Sequence, residues 1–211
     1  MSNLKFLSNP GLLKFYIIPV LVIGFALAVK GIDDEELSKL TAFRKYMLDE
    51  VNFVRTKPAE YAEIRLLENK KISADNGAYD YLKKVKPVKA LVLNEILNST
   101  ALEYAKLMAG KSLFSHYANG TPFDRAKKEG YRYSAMAENI ACGSEHHYNA
   151  MTNPESSAIA FVKMLIIDKD IKDLGHRHTL MNPVYRSVGF GFAHNQSSYC
   201  INYVVQDFGN P

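Results

Sequence analysis

From Asp33 onward the apolar residues fall at helical steps. Leu37, Leu40, Phe43, Met47, Leu48, Val51 and Val54 recur every three or four positions, the spacing of a helix that buries one face. Asp33-Asp34-Glu35-Glu36 sets acids at its start, where they suit the helix dipole. Lys57-Pro58 sets its end, because a residue before proline avoids helical angles. Pro58 then opens a second helix through Tyr61, Ile64, Arg65 and Leu67. Residues 69–90 are lysine-rich and read as an irregular surface excursion with a turn at Asp75-Asn76-Gly77. Asn98-Ser99-Thr100 is placed to cap a helix carrying Ala101, Leu102, Ala105, Leu107, Met108 and Ala109, with Gly110 at its end. Pro122 to Gly130 predicts a short helix with Phe123 and Ala126 inward, and Asn153-Pro154-Glu155 starts another through Ala158, Phe161, Val162 and Leu165.

Late in the chain the period changes from helical to alternating. Val188, Phe190 and Phe192 alternate with Gly189, Gly191 and Ala193; Tyr199, Ile201, Tyr203 and Val205 alternate with Cys200, Asn202, Val204 and Gln206. Two strands, Ser187 to Ala193 and Ser198 to Phe208, joined at Asn195-Gln196-Ser197, follow from this. Helices that precede and interleave with a few strands predict an α+β layered domain. No internal repeat and no second domain is visible.

The N-terminus has a different character. Lys5 and Lys14 precede an apolar run from Phe15 to Phe25, and Ala26-Leu27-Ala28 reads as a small-residue cleavage site. Phe15 to Val29 is shorter than the ~20 residues of a membrane span. Residues 1–28 are therefore expected to be a secretory signal peptide, with an uncleaved signal anchor as the alternative. No Cys follows the run, so a lipid anchor has no attachment site there. Without residues 1–28 the chain carries 24 basic and 22 acidic residues, a net charge of +2, too balanced for a nucleic-acid partner. In an exported chain Cys142 and Cys200 are either one disulfide or two small buried side chains.

The candidate chemistry lies in three short segments: Ser115-His116-Tyr117, Ala137-Glu138-Asn139-Ile140-Ala141, and Gly175-His176-Arg177. Imidazole and carboxylate hold metals or move protons. Glu138 has a second reading, a buried carboxylate that accepts hydrogen bonds and holds the sheet. Arg177 is suited either to clamp a carboxylate or to lock a loop with Asn182-Pro183. His178, two residues after His176, is expected to be exposed. Other motifs fail on inspection. Asp168, Asp170 and Asp173 have neither the central Gly nor the closing Glu of a calcium loop. Glu145-His146-His147 is not a helical H-E-x-x-H. Ser134 and Ser144 lack a nucleophile elbow, and Cys142 has no C-x-x-C partner.

The three segments in this order, with Tyr203-Val204-Val205-Gln206-Asp207-Phe208-Gly209 closing the chain, resemble the CAP superfamily of cysteine-rich secretory, antigen-five and pathogenesis-related proteins. Val51-Asn52-Phe53-Val54-Arg55 to Pro58 is similar to the family's first-helix signature, and Leu91 to Lys106 to its second. The resemblance spans residues 33–209 as one CAP (SCP-like) domain. Two cysteines, where many eukaryotic members carry several disulfides, suit the bacterial type. The resemblance implies an α-β-α sandwich with a small, mainly antiparallel sheet between helical layers. It also implies a cleft lined by two His and two acids, in which some members hold a divalent metal. His116, Glu138 and His176 match three of these positions, with Arg177 and Asn139 in support. The fourth is a Glu on the helix before the second His in many members. Phe161-Val162-Lys163-Met164 has none, and related bacterial members also lack it. Asp168 is the best substitute, with Asp170 and Asp173 as alternatives.

Three functions stay open at this point. The chain is an extracytoplasmic protein, secreted, periplasmic or anchored, that binds a lipid, sterol or peptide ligand, a cell-envelope partner or a divalent cation in a His/Glu-lined cleft. Or it is a metal-dependent hydrolase or peptidase, with a divalent cation, zinc first, on His116 and His176 and Glu138 as base or ligand. Or it is a structural cell-envelope module.

Overall fold

Helix α1 (Asp34–Thr56) begins where Asp33 accepts the Glu36 backbone N–H at 2.7 Å and ends at Lys57. A computed structural model of the chain describes residues 33–211; the expected leader lies outside the described residues. After α1 come α2 (Pro58–Tyr61), a π-helical turn (Ala62–Leu66), α3 (Leu67–Lys71), α4 (Ala78–Lys84), β1 (Val92–Leu93), α5 (Glu95–Lys111), α6 (Pro122–Lys128) and β2 (Ala135–Gly143). A 3₁₀ turn (His146–Tyr148), α7 (Pro154–Ile167), α8 (Gly175–Leu180), β3 (Ser187–His194) and β4 (Asn202–Asn210) complete the order.

The sheet runs β1-β3-β4-β2. Only β1–β3 is parallel; β3–β4 and β4–β2 are antiparallel. One face packs on α5, where Ala101, Tyr104, Ala105 and Met108 meet Ile140, Tyr203 and Val205. The close approach depends on Gly189 and Gly191. A Cβ on Gly189 would come within 2.1 Å of the Leu97 carbonyl carbon, and one on Gly191 within 2.2 Å of Ala101. Phe192, of opposite parity, packs on Phe43 of α1 with ring centroids 5.3 Å apart and ring planes tilted by 56°, and α1 in turn packs on α7. Helix, sheet and helix layers follow, the α-β-α arrangement expected.

Several local expectations are corrected. Residues 69–90 are not wholly irregular, since α4 forms there. Helix α5 starts four residues early: Asn94, not Asn98, caps it by accepting the Leu97 N–H at 3.1 Å. Asn98 is buried inside the helix, and its side chain accepts the Phe190 N–H at 2.9 Å. Arg44 donates to the Phe190 carbonyl at 3.0 Å. The short β1 pairs only Ser187 and Val188 of β3, so side chains satisfy the strand edge beyond it. Phe123 is 43 % exposed rather than inward. Strand β4 begins at Asn202, because Ser198 and Ile201 belong to a turn. That turn is tied to β2 by a Cys142–Cys200 disulfide with Cα atoms 5.5 Å apart.

Candidate functional site

Strand β2 is an outer strand of the sheet, and its two faces serve two different imidazoles. Side chains alternate along a strand. Glu138 shares the α5 face with Ile140, and Asn139 points the other way. The loop after α5 carries His116 to the first face. There His116 Nδ1 meets Glu138 Oε1 at 2.8 Å. The second Glu138 oxygen accepts from Arg125 Nη2 of α6. The Glu138 side chain is 1 % exposed and that of His116 36 %, so the carboxylate is interior and the ring reaches the surface.

Arg125 organises this half of the site. Its Nη1 donates to the carbonyls of His116 at 3.0 Å and Gly120 at 2.8 Å, fixing the loop that presents the imidazole. Its guanidinium carbon lies 3.4 Å from the centroid of the Tyr104 ring, a cation–π contact. The Tyr104 hydroxyl donates to the Ser115 carbonyl and accepts the Ala118 N–H at 3.1 Å. Burial pushes the Tyr104 hydroxyl pKa up. Helix α6 is itself pinned by a capping box between Thr121 and Asp124.

On the other side, His176 sits in the first turn of α8. Its Nδ1 meets Asp168 Oδ1 at 2.7 Å, and Asp168 Oδ2 accepts the Arg177 backbone N–H at 3.2 Å. Asp168 ends α7 in the left-handed region, φ 54°, which turns its carboxylate back toward α8. Asn139 Nδ2 donates to the His176 carbonyl and to Gln206 Oε1, each at 3.3 Å. The two imidazole environments are thus joined through adjacent residues of β2.

Of the sequence candidates, His116 pairs with Glu138, His176 with Asp168, and Asn139 supports the second pair. Asp170 and Asp173 take no part in these contacts. Among the described residues, the Arg177 side chain clamps no carboxylate. Its buried guanidinium donates to the carbonyls of Ile166 at 2.7 Å, Ile167 at 2.8 Å and Asn76 at 3.0 Å, so it locks the α7–α8 loop. His178 is exposed. Arg125, Tyr104 and Asp207 were missed. Arg125 stands beside Lys127 and Lys128 and looks like a surface charge. Asp207 did carry a signal, because it continues the inward parity of Tyr203 and Val205.

The donor set falls short of a three-ligand catalytic zinc site. Glu138 spends both oxygens on His116 and Arg125, and Asp168 spends both on His176 and Arg177. The two imidazoles keep only Nε2 each, one donor short of the three protein ligands of a catalytic zinc site. Among the described residues no group of three or more His, Cys, Asp and Glu is arranged to hold a metal ion. The carboxylates act as orienters of the rings. Cavities of about 630 Å³ on α7, around Ile159 and Met164, and about 470 Å³ between α5 and α6, reaching Tyr104 and Arg125, include neither His116 nor His176 in their walls.

Comparison with known proteins agrees with this architecture. The family model described as the cysteine-rich secretory protein family, CAP, matches residues 48–208. No curated protein matches the chain significantly. A crystal structure of an extracellular protein containing a SCP domain from Bacillus anthracis str. Ames aligns with TM-score 0.52 at 16 % identity, over 85 % of this chain and 44 % of that one. The chain therefore spans less than half the length of that protein. An outer surface protein from Borrelia burgdorferi aligns with TM-score 0.46 at 21 % identity, over 70 % of this chain and 96 % of that one. With most of its length matched, the chain belongs to the cysteine-rich secretory protein (CAP) family.

Proposed function

We propose that this CAP-domain protein is exported and captures a ligand or partner at the edge of β2, without turnover, through the outward Nε2 atoms of His116 and His176. The observation that carries the reading is the shared arrangement of the two rings. Each is held at Nδ1 by a buried carboxylate, which fixes its orientation and leaves Nε2 outside that contact on a partly exposed ring. Two preset hydrogen-bonding groups suit recognition of a polar group on a bound molecule. The His116 loop also exposes Leu113, Phe114 and Tyr117, an apolar surround suited to a lipid, a sterol or an apolar peptide. Export is supported by the leader-like residues 1–28 and by the disulfide, which persists in oxidising compartments.

Binding of lipid, sterol and peptide panels to the purified protein tests this, with His116→Ala/His176→Ala as comparison. Binding that is lost in the double variant supports the reading; binding that survives moves the site elsewhere. Calorimetric titration of chelator-treated protein with Zn²⁺, Mg²⁺ and Ca²⁺ addresses the hydrolase alternative. Tight zinc binding lost in the double variant, with hydrolysis restored by zinc, would replace capture by metal-dependent chemistry.

A further inference from the structure

Asp207 lies directly across the β2–β4 ladder from Glu138, and across the β3–β4 ladder from Gly189. Alternation puts the Asp207 and Glu138 side chains on one face, that of Val205 and Ile140. Opposed residues of an antiparallel pair bring their Cβ atoms to ~4.5–5.5 Å, so two carboxyl groups stand side by side in the interior. Asp207 is wholly buried, and among the described residues neither of its oxygens has a hydrogen-bond partner. The groups facing it are few. From β2 there is Glu138; from α6 there is Arg125, whose Nη2 is on Glu138, whose Nη1 is on two carbonyls and whose Nε is buried without a partner among the described residues. From β3 there is only a glycine. The Tyr104 hydroxyl of α5 is engaged with Ser115 and Ala118. One guanidinium stands near two carboxyl groups and hydrogen-bonds only Glu138; its Nε makes no bond to Asp207. An unpaired buried charge is too costly to keep when the group can take up a proton instead.

We infer that Asp207 is held as an uncharged carboxylic acid in the folded protein, leaving Glu138 the sole anion of the pair and Arg125 undivided in its hold on it. Asp207 is in this sense a positioning residue for His116, acting through Glu138. Burial first, and then the negative charge of Glu138, push the Asp207 carboxyl well above the ordinary aspartate range, with Arg125 offsetting part of the effect. Were Asp207 ionised, it would compete for Arg125 and loosen the carboxylate that orients the imidazole. The inference concerns the ligand-free protein and stands whether or not the cleft captures a ligand.

The test is carbon NMR of protein labelled at aspartate carboxyls, with Asp207 assigned by comparison with Asp207→Asn, and unfolding of both proteins across pH. The Asp207 carbon should keep the shift of a neutral acid at pH 7. The folded state then holds a proton that the unfolded chain has released, so wild-type stability falls as pH rises above the ordinary aspartate value. Asp207→Asn carries no such cost. The ratio of wild-type to variant unfolding constants should grow about tenfold per pH unit above ~4, until the folded protein also deprotonates. An ionised Asp207 at pH 7, or parallel stability profiles, overturns the inference. If Asp207→Asn does not fold, the wild-type spectrum decides: one neutral aspartate carboxyl at pH 7 supports it, and none overturns it. The positioning role is read from the His116 ring-nitrogen resonances. In the wild type they should show a step that coincides with the Asp207 carboxyl titration and is absent from Asp207→Asn; equal profiles in both remove that role.

Discussion

Arg125 and Glu138, thirteen residues apart in sequence, close into an ion pair with side chains 8 % and 1 % exposed. The pair joins α6 to β2 and fixes the His116 loop from both ends, because the same guanidinium holds the His116 carbonyl while the same carboxylate holds its ring. A pair this deep repays its desolvation only while both partners remain.

Glu138→Gln removes the charge and keeps the shape. Breaking a buried pair from one side costs about 3–5 kcal/mol. Asp207 stands beside Arg125 as a second acid, and by releasing its proton it can supply the missing anion. The single change should therefore cost less than that range. Glu138→Gln/Asp207→Asn should cost more than the two single changes added together, by about 1–3 kcal/mol. Urea unfolding of the four proteins measures this coupling. Strict additivity would show that Asp207 gives Arg125 no support.

Asp168 has two separable roles, an anion for His176 and a residue in the left-handed region at φ 54°. Asparagine adopts that backbone readily but offers one acceptor oxygen and no charge. Asp168→Asn should cost about 1–2 kcal/mol. Asp168→Ala adds the left-handed penalty, about 1–2 kcal/mol more. Equal losses in the two variants would mean that the backbone angle contributes nothing.

The disulfide joins residues 58 positions apart. Closing a loop of that size in the unfolded chain accounts for about 4 kcal/mol in the chain-entropy treatment. Cys142→Ser/Cys200→Ser should lose most of this, seen as a lower denaturation midpoint that reductant no longer changes. The oxidised wild type should fall to the same midpoint when reductant is added. A wild type indifferent to reductant would show that the bond adds no stability.

How far the structure could be read from the chain depends on whether each cue was local. Helix α1 was legible at both ends, because Asp33 and Pro58 act on their immediate neighbours. The start of α5 was not. Asn94 and Asn98 are the same residue type one turn apart, and only the short β1, which leaves Phe190 uncovered, makes Asn98 a sheet-edge partner instead of a cap. The glycines at 189 and 191 showed a strand period, but not the helix that presses on them. At the site, the two His and Glu138 stood out by residue type and order. Asp168 was reachable because it is near His176 in sequence and at a helix end. Arg125 was hidden because its partner is set by the packing of α6 on β2, and nothing next to it distinguishes it from Lys127 and Lys128.

Gly191 gives the sharpest test of the layer that supports Glu138. Helix α5 approaches β3 so closely that an added Cβ would stand 2.2 Å from both the Ala101 carbonyl carbon and its oxygen. Those are backbone atoms of a helix, so no side-chain rotation relieves the overlap, and α5 must move away from the sheet. Overpacking of this kind costs about 1–3 kcal/mol, occasionally more. Gly191→Ala should fall at the upper end of that range, because Tyr104 on the same helix also supports Arg125. A shift of α5 should reach His116 through Tyr104 and Arg125, so the His116 ring resonances should move together with the melting temperature. A variant that melts like the wild type with unmoved His116 resonances would show that α5 can retreat without cost and that the site does not depend on its spacing.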